Sequence, residues 1–399
     1  MNNNNNTNTL NVLIAPSGLK ESVEPLEACR LIESGVRKIF PNAEITSIPV
    51  VDGGEGTTKT LVELTNGTLH EMTVTGPVGK KVESYFGILG GEQDKKTAVI
   101  EMAAAAGLRL VPRDQRDPQK TTTYGVGELI KAALDEGAEK ILFGCGDSGT
   151  NDAGIGMAQA LGARFLDKDG QELGFGGINI PKLHSIDMSR IDPRLENVQI
   201  DAALNHKNIL CGQKSVARVY GPQKGATPEQ VEEMAADLDH FAEIVKRDVG
   251  HDVALMDGSG ASGGLGAGLY AFLGGNLHPR FDVIMDYLKL EDALTKSNLI
   301  LTAEGGIDFQ TPEGKVPALL GERAKAMGVP VIVLAGMIGE GAEKTHAVGV
   351  TAYESIQNRP RRLSCAIRNG GELLQDGAER AMRFLSAGMM ITARDRKST

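Results

Sequence analysis

The stretch Lys140-Ile-Leu-Phe-Gly-Cys-Gly-Asp-Ser-Gly-Thr-Asn-Asp-Ala-Gly154 decides how this chain is read. Its apolar run Ile141 to Phe143 predicts a buried strand, and Gly144, Gly146 and Gly149 let the backbone turn sharply into a helix expected to end near Leu161. Strand, glycine turn and helix together make a phosphate-binding layout. Unpaired N–H groups at the helix start, and the positive end of its dipole, favour an anion above the loop. Ser148, Thr150, Asn151 and Asp152 add side chains able to donate to phosphate, cap the helix or hold a divalent cation. The same glycines also satisfy a dinucleotide fingerprint, with Asp167 placed about twenty residues on as a ribose-binding acid. Thr150-Asn151-Asp152, expected in the first helical turn, fits that reading poorly, because that turn packs closely on the sheet. Spacing alone leaves phosphate, dinucleotide and a purely structural turn open.

Working outward, Asn11 to Ala15 reads as a strand. A helix follows from about Glu24 to Ile39, its apolar positions Leu26, Leu31, Ile32, Val36 and Ile39 at helical spacing, and Pro41 ends it. A strand at Glu44 to Pro49 and the turn Asp52-Gly-Gly-Glu55-Gly-Thr57 then open a second helix through Leu64. This alternation predicts a doubly wound α/β sheet. From Leu69 the pattern changes to alternating segments, 69 to 74, 82 to 89 and 97 to 102, which read as antiparallel strands. The first pattern returns at Asn298, with strands at 299 to 302 and 329 to 335. The expected organisation is therefore a discontinuous doubly wound domain, 10–67 with 285–390, and a mixed α/β domain, 68–284, inserted in it; 1–9 read as a disordered polar tail.

Composition narrows the function. A net charge of -10 argues against a general nucleic-acid surface. No window approaches eighteen apolar residues, so no membrane span is expected. The four cysteines are scattered without Cys-x-x-Cys pairing, which points to a reducing, cytoplasmic setting rather than to zinc or disulfides. Gly260-Ala-Ser262-Gly-Gly264 matches the Gly-x-Ser-x-Gly nucleophile pattern, but no strand leads into it, so a glycine backbone loop is the expectation.

Polar motifs fall at the C-terminal ends of expected strands, where open α/β sheets bind ligands: Lys20, then Asp52 and Glu55, then Glu304 and Asp308. Together with Ala-Pro-x-x-x-Lys-Glu-Ser at 15 to 22, Asp-Gly-Gly-Glu-Gly-Thr at 52 to 57, Ile-Glu-Met-Ala-Ala-Ala at 100 to 105, Ser-x-Thr-Asn-Asp at 148 to 152, Gly-Pro-Gln-Lys-Gly-Ala-Thr at 221 to 227 and Glu-Gly-x-Ile-Asp-x-Gln-Thr at 304 to 311, the chain resembles the glycerate kinases of the bacterial glycerate 2-kinase type over about residues 11 to 390. That resemblance implies two α/β domains, ATP with Mg²⁺, and phosphorylation of D-glycerate to 2-phosphoglycerate, and it decides against the dinucleotide reading. On it, Gly144, Gly146, Ser148, Gly149, Thr150, Asn151, Glu304, Asp308 and Lys315 are expected at the nucleotide. Lys20, Asp52, Glu55, Asp152 and Lys207 are expected in catalysis, with Asp52 and Asp152 on the metal. Three departures from the family pattern stand out: Ser17-Gly18 for Asp-Ser, Asn205-His-Lys207-Asn208-Ile209 for Asp-x-Asp-Asn-Pro, and Gly305-Gly306 for Gly-Arg. They motivate the alternative of a nucleotide-binding regulatory homologue with weak or no turnover.

Overall fold

The computed structural model describes residues 10–19, 21–91 and 94–395, so the polar tail 1–9 and Lys20 lie outside the described residues. In chain order its strands are β1 (Asn11–Ile14), β2 (Glu44–Ser47), β3 (Thr68–Thr75), β4 (Lys81–Ile88), β5 (Thr97–Glu101), β6 (Lys140–Gly144), β7 (Arg164–Leu166), β8 (Ser185–Asp187), β9 (Gln199–Leu204), β10 (Asn276–Pro279), β11 (Leu299–Glu304), β12 (Val331–Ala335) and β13 (Ala352–Ser355). Contacts divide the chain into two compact units, one running up to Val50 and resuming at Met285, the other Val51–Ile284.

The first unit holds a five-stranded parallel sheet in the order β13-β12-β11-β1-β2. Counted within the unit this is the 2-1-3-4-5 order of flavodoxin-like doubly wound sheets, whose order reverses between β1 and β11. Successive strand residues face opposite sides. Accordingly Leu334 packs with Val12, Ile14, Leu301 and helix residues Ile32, Val36 and Leu374, while Val333 and Ala335 pack with Ile307, Ala342 and Val350 on the other side. Burial on both faces explains why β11 reads as a near-continuous apolar run.

The second unit has a six-stranded mixed sheet, β10-β9-β6-β5-β4-β3, in which β5, β6, β9 and β10 run parallel and β3 and β4 are antiparallel. Its core joins Ile100, Ile141 and Phe143 of the sheet to Leu129 and Ile130 of the helix Tyr124–Asp135. Phe165 and Phe241 meet Phe272 edge-on at 5.3 and 6.1 Å between ring centroids. The helix Pro228–Asp248 starts in a full capping box between Thr227 and Gln230.

Two expectations need correcting. Residues 51–67, expected in the first unit, pack in the second: the helix Thr57–Leu64 lies on β4 and β5, and the Glu101 carboxylate at the end of β5 accepts from the N–H groups of Gly56 and Thr58. The helix after the glycine loop begins at Ile155, so Thr150, Asn151 and Asp152 belong to a ten-residue connection and not to a first helical turn.

Candidate active site

Because β5, β6, β9 and β10 run in one direction, their C-terminal ends meet at one edge of the second unit's sheet. That edge carries Arg109 beyond β5, the glycine loop after β6, Lys207 after β9 and Arg280 after β10. The glycine loop is pinned from three sides. Leu108 N–H donates to the Asp147 carbonyl and Gly149 N–H to that of Ala106; Gly146 N–H donates to Gly53, and Ala153 N–H to Gly263. Gly263 approaches so closely, at φ +71°, that a Cβ there would lie 2.0 Å from the Thr150 carbonyl oxygen. The second glycine run is thus a backbone buttress for the first. Ser262, in that run, is buried and donates to the Cys145 carbonyl at 2.9 Å, which fits the backbone-loop expectation and not a nucleophile.

Asp152 is where the site differs most from expectation. Its carboxylate is 1% exposed and accepts from Thr123 N–H at 2.7 Å, Thr123 Oγ1 at 2.9 Å, Gly154 N–H at 3.2 Å and Gly156 N–H at 3.3 Å. Burial raises its pKa, and these donors pull the other way. Two of them are the N–H groups of the helix start, so the helix end that should have received an anion is satisfied internally. What remains open is the loop before it. Among the described residues no acceptor faces the N–H groups of Asp147, Ser148, Thr150 or Asn151, and the buried Thr150 Oγ1 has no partner. Buried donors rarely go unpaired; Asp147 is exposed and Ser148 half-buried, but Thr150 and Asn151 are buried, and there a ligand oxygen fits as the missing acceptor.

Beside these donors two carboxylates converge. Asp147, at φ +53°, accepts Glu55 N–H at 3.0 Å, and Asp52 accepts Gly54 N–H at 3.1 Å. A Cβ built on Gly54 would sit 2.5 Å from Asp147 Oδ2 and 3.0 Å from Asp52 Oδ1, so both oxygens flank one small cradle. Both side chains are exposed. Arg280 reaches Asp52 at 3.5 Å, and Arg109 holds Glu55 at 2.7 Å. Among the described residues no group of three or more His, Cys, Asp or Glu could hold a metal by itself. A pair of carboxylates nevertheless fits Mg²⁺ in the mode where water and phosphate oxygens complete the octahedron.

The structure thus gathers Asp52, Glu55, Gly144, Gly146, Ser148, Gly149, Thr150, Asn151, Asp152 and Lys207 at one sheet edge. Glu304, Asp308 and Lys315 belong to the other unit and form their own cluster at the end of β11. There Lys315 Nζ lies 3.2 Å from Asp308 Oδ1, and Ser17 Oγ donates to Glu304 Oε2 at 2.8 Å. Burial raises the Glu304 carboxyl. At position 17, where the resemblance implies aspartate, a hydroxyl replaces what would be a like-charged neighbour. Asp167 takes the N–H groups of Asp169 and Gln171 in its own turn and directly follows β7, which pairs with β8 in a separate two-stranded sheet, so it does not serve as a ribose acid beside β6. Asp147, Glu101 and Lys224 are functional candidates that the motif reading passed over, although each lies in a motif it quoted.

Fold and site together define a two-unit α/β protein with a glycine loop carrying N–H groups that lack protein partners among the described residues, and an adjacent carboxylate pair. Residues 12–386 match the model of the glycerate kinase family, and the chain belongs to that family. It is 44% identical to a glycerate kinase of Halalkalibacterium halodurans, covering 92% of this chain and 96% of that protein. It is 42% identical to the glycerate 2-kinase of Escherichia coli K12, covering 97% and 100%. A crystal structure from Salmonella typhimurium LT2, provisionally described as glycerate kinase 2, superposes with a TM-score of 0.86 at 43% identity, covering 96% of this chain and all of the other. No helix among the described residues is long and apolar enough to cross a membrane.

Proposed function

We propose that the protein transfers the γ-phosphoryl group of ATP to the 2-hydroxyl of D-glycerate. Its membership of the glycerate kinase family supports this, and the observation that carries it at residue level is the set of N–H donors of Asp147, Ser148, Thr150 and Asn151, without protein partners among the described residues, beside the Asp52–Asp147 pair. Phosphoryl transfer is mostly positioning and charge neutralisation. The loop N–H groups, Ser148 and Thr150 bind and orient phosphate oxygens. Asp52 and Asp147 would hold Mg²⁺, which when bound offsets phosphate charge. Lys207, exposed and with no side-chain partner among the described residues, is suited to the glycerate carboxylate. Asp152 is assigned to the scaffold and not to the metal. Glu304, Asp308 and Lys315 are retained as nucleotide-side residues on the resemblance alone. The alternative of a regulatory homologue is not favoured, and four unpaired cysteines suit a cytoplasmic setting.

The test is incubation of the purified protein with ATP, Mg²⁺ and D-glycerate, followed by phosphorus NMR of the product. Phosphate on carbon 2 couples to one proton and gives a doublet; phosphate on carbon 3 couples to two and gives a triplet. A doublet is expected, a triplet moves the transfer to the other hydroxyl, and the absence of a phosphorylated product sinks the proposal.

The buttress makes a separate prediction. Gly263→Ala drives a methyl group against the Thr150 carbonyl and should raise the KM for ATP by about 10–100-fold, the scale of an ångström of misplacement. An unchanged KM in a variant with unchanged melting temperature would show that the loop does not depend on this contact.

A further inference from the structure

Lys224 ends the short 3₁₀ turn Pro222–Lys224 and is 3% exposed, yet it is a lysine. Its Nζ donates to Ser148 Oγ at 2.8 Å and to the Thr150 carbonyl at 2.7 Å, on either side of Gly149. We infer that Lys224 is a positioning residue of the phosphate site: its buried ammonium clamps the Ser148–Thr150 segment and, by occupying the Ser148 oxygen, leaves the hydroxyl proton of Ser148 for the incoming anion. The inference rests on the phosphate reading of the glycine loop.

One observation and two physical arguments support it. Ser148 Oγ has no other partner among the described residues, so its proton is uncommitted. An anion oxygen accepting that proton would lie within about 6 Å of Nζ, given O–H···O distances near 2.7 Å, where a desolvated positive charge acts strongly. Chains of hydrogen bonds that end on a charge polarise one another, so the hydroxyl becomes a better donor than it would be alone. Asp152, on the glycine loop, is the carboxylate whose charge acts on Lys224; Arg116 meets the turn through its carbonyl and its Cβ, both abutting Gly225, and its buried Nε has no hydrogen-bond partner among the described residues. Burial pulls the Lys224 pKa down to about 7, with Asp152 opposing the shift. An anion bound at Ser148 restores the proton, so anion affinity should fall as pH rises above 7.

The same shift fixes the sign of a stability effect. Between about 7 and the ordinary lysine value of 10.5 the unfolded chain holds a proton that the folded chain has released. Stability contributed by this group therefore rises with pH across that window. Lys224→Met should lack that rise.

The experiment is calorimetric binding of MgATP and of tripolyphosphate to wild type, Lys224→Met and Lys224→Gln between pH 6.5 and 9, with KM measured separately for ATP and glycerate. Expected are a loss of at least about tenfold in anion affinity, flattening of its pH dependence, and a glycerate KM within about twofold of wild type. A folded variant with wild-type affinity and pH dependence overturns the inference and leaves the phosphate reading standing. Wild type that binds neither ligand overturns both. Should neither variant fold, carbon-13 NMR of the wild-type lysine Cε resonances decides. One lysine titrating near pH 7, and shifted upward by tripolyphosphate, is expected, and the lack of any lysine titrating below pH 9 overturns it.

Discussion

Asp147→Asn lowers kcat by about 10²–10³-fold with Mg²⁺ at ordinary concentrations, the scale of a lost charge-stabilising group, while melting temperature stays near wild type. The substitution isolates charge. Asparagine tolerates the left-handed backbone that Asp147 adopts at φ +53°, and its carbonyl oxygen still accepts the N–H of Glu55. What disappears is half of the negative charge that Asp52 and Asp147 aim at the cradle over Gly54. Raising Mg²⁺ should recover part of the loss, because a weakened metal site is refilled by mass action. Steady-state kinetics at several Mg²⁺ concentrations checks this. A kcat within about threefold of wild type, with no change in Mg²⁺ requirement, would remove Asp147 from the metal assignment.

Asp152→Ala produces the largest expected loss of stability. It strands the N–H groups of Thr123, Gly154 and Gly156 and the Thr123 hydroxyl in the interior, with a void where the carboxylate was. At about 1–3 kcal/mol for each unpaired buried group, partly relieved by relaxation, the cost is about 3–5 kcal/mol. Asp152→Asn keeps one acceptor and the volume, so it should fall between alanine and wild type. Its folded fraction should turn over at close to the wild-type rate. Denaturant titration of the three proteins gives the stabilities; a hundredfold fall in kcat for well-folded Asp152→Asn would return this residue to the chemistry.

The contrast between these two aspartates shows what the sequence conveyed. Both stand in the same glycine-rich stretch, and its layout, a buried strand leading through a glycine-rich loop to a helix, was legible from apolar run and glycine spacing. Which carboxylate faces solvent was not, because that depends on where the helix begins. The first turn after a loop has no local marker when its N-cap is Gly154 and the acid that accepts its N–H groups sits three residues upstream of Ile155. The parallel strands of the interior were readable as apolar runs, whereas β10 and β13 were missed. Both are edge strands, half exposed, with sequences Asn-Leu-His-Pro and Ala-Tyr-Glu-Ser that carry no such run. The boundary near residue 50 was missed because the helix Thr57–Leu64 is held by Glu101, a partner more than forty residues away. Lys224 was invisible for a similar reason: a lysine in a polar motif gives no sign that it will be buried.

Strand pairing in the first unit has a consequence for how the protein is made. Val12 pairs with Leu299, so β1, destined for the middle of its sheet, leaves the ribosome long before that neighbour exists. At about 5–20 residues per second the wait is roughly a quarter of a minute to a minute. The second unit is contiguous in the chain and can complete its own core during that interval. Until β11 arrives, Val12, Leu13 and Ile14 present an unpaired apolar edge of the kind chaperones recognise and aggregates recruit. Newly made chains halted between residues 50 and 299 should therefore depend on chaperones far more than finished ones, with that dependence falling once β11 has emerged.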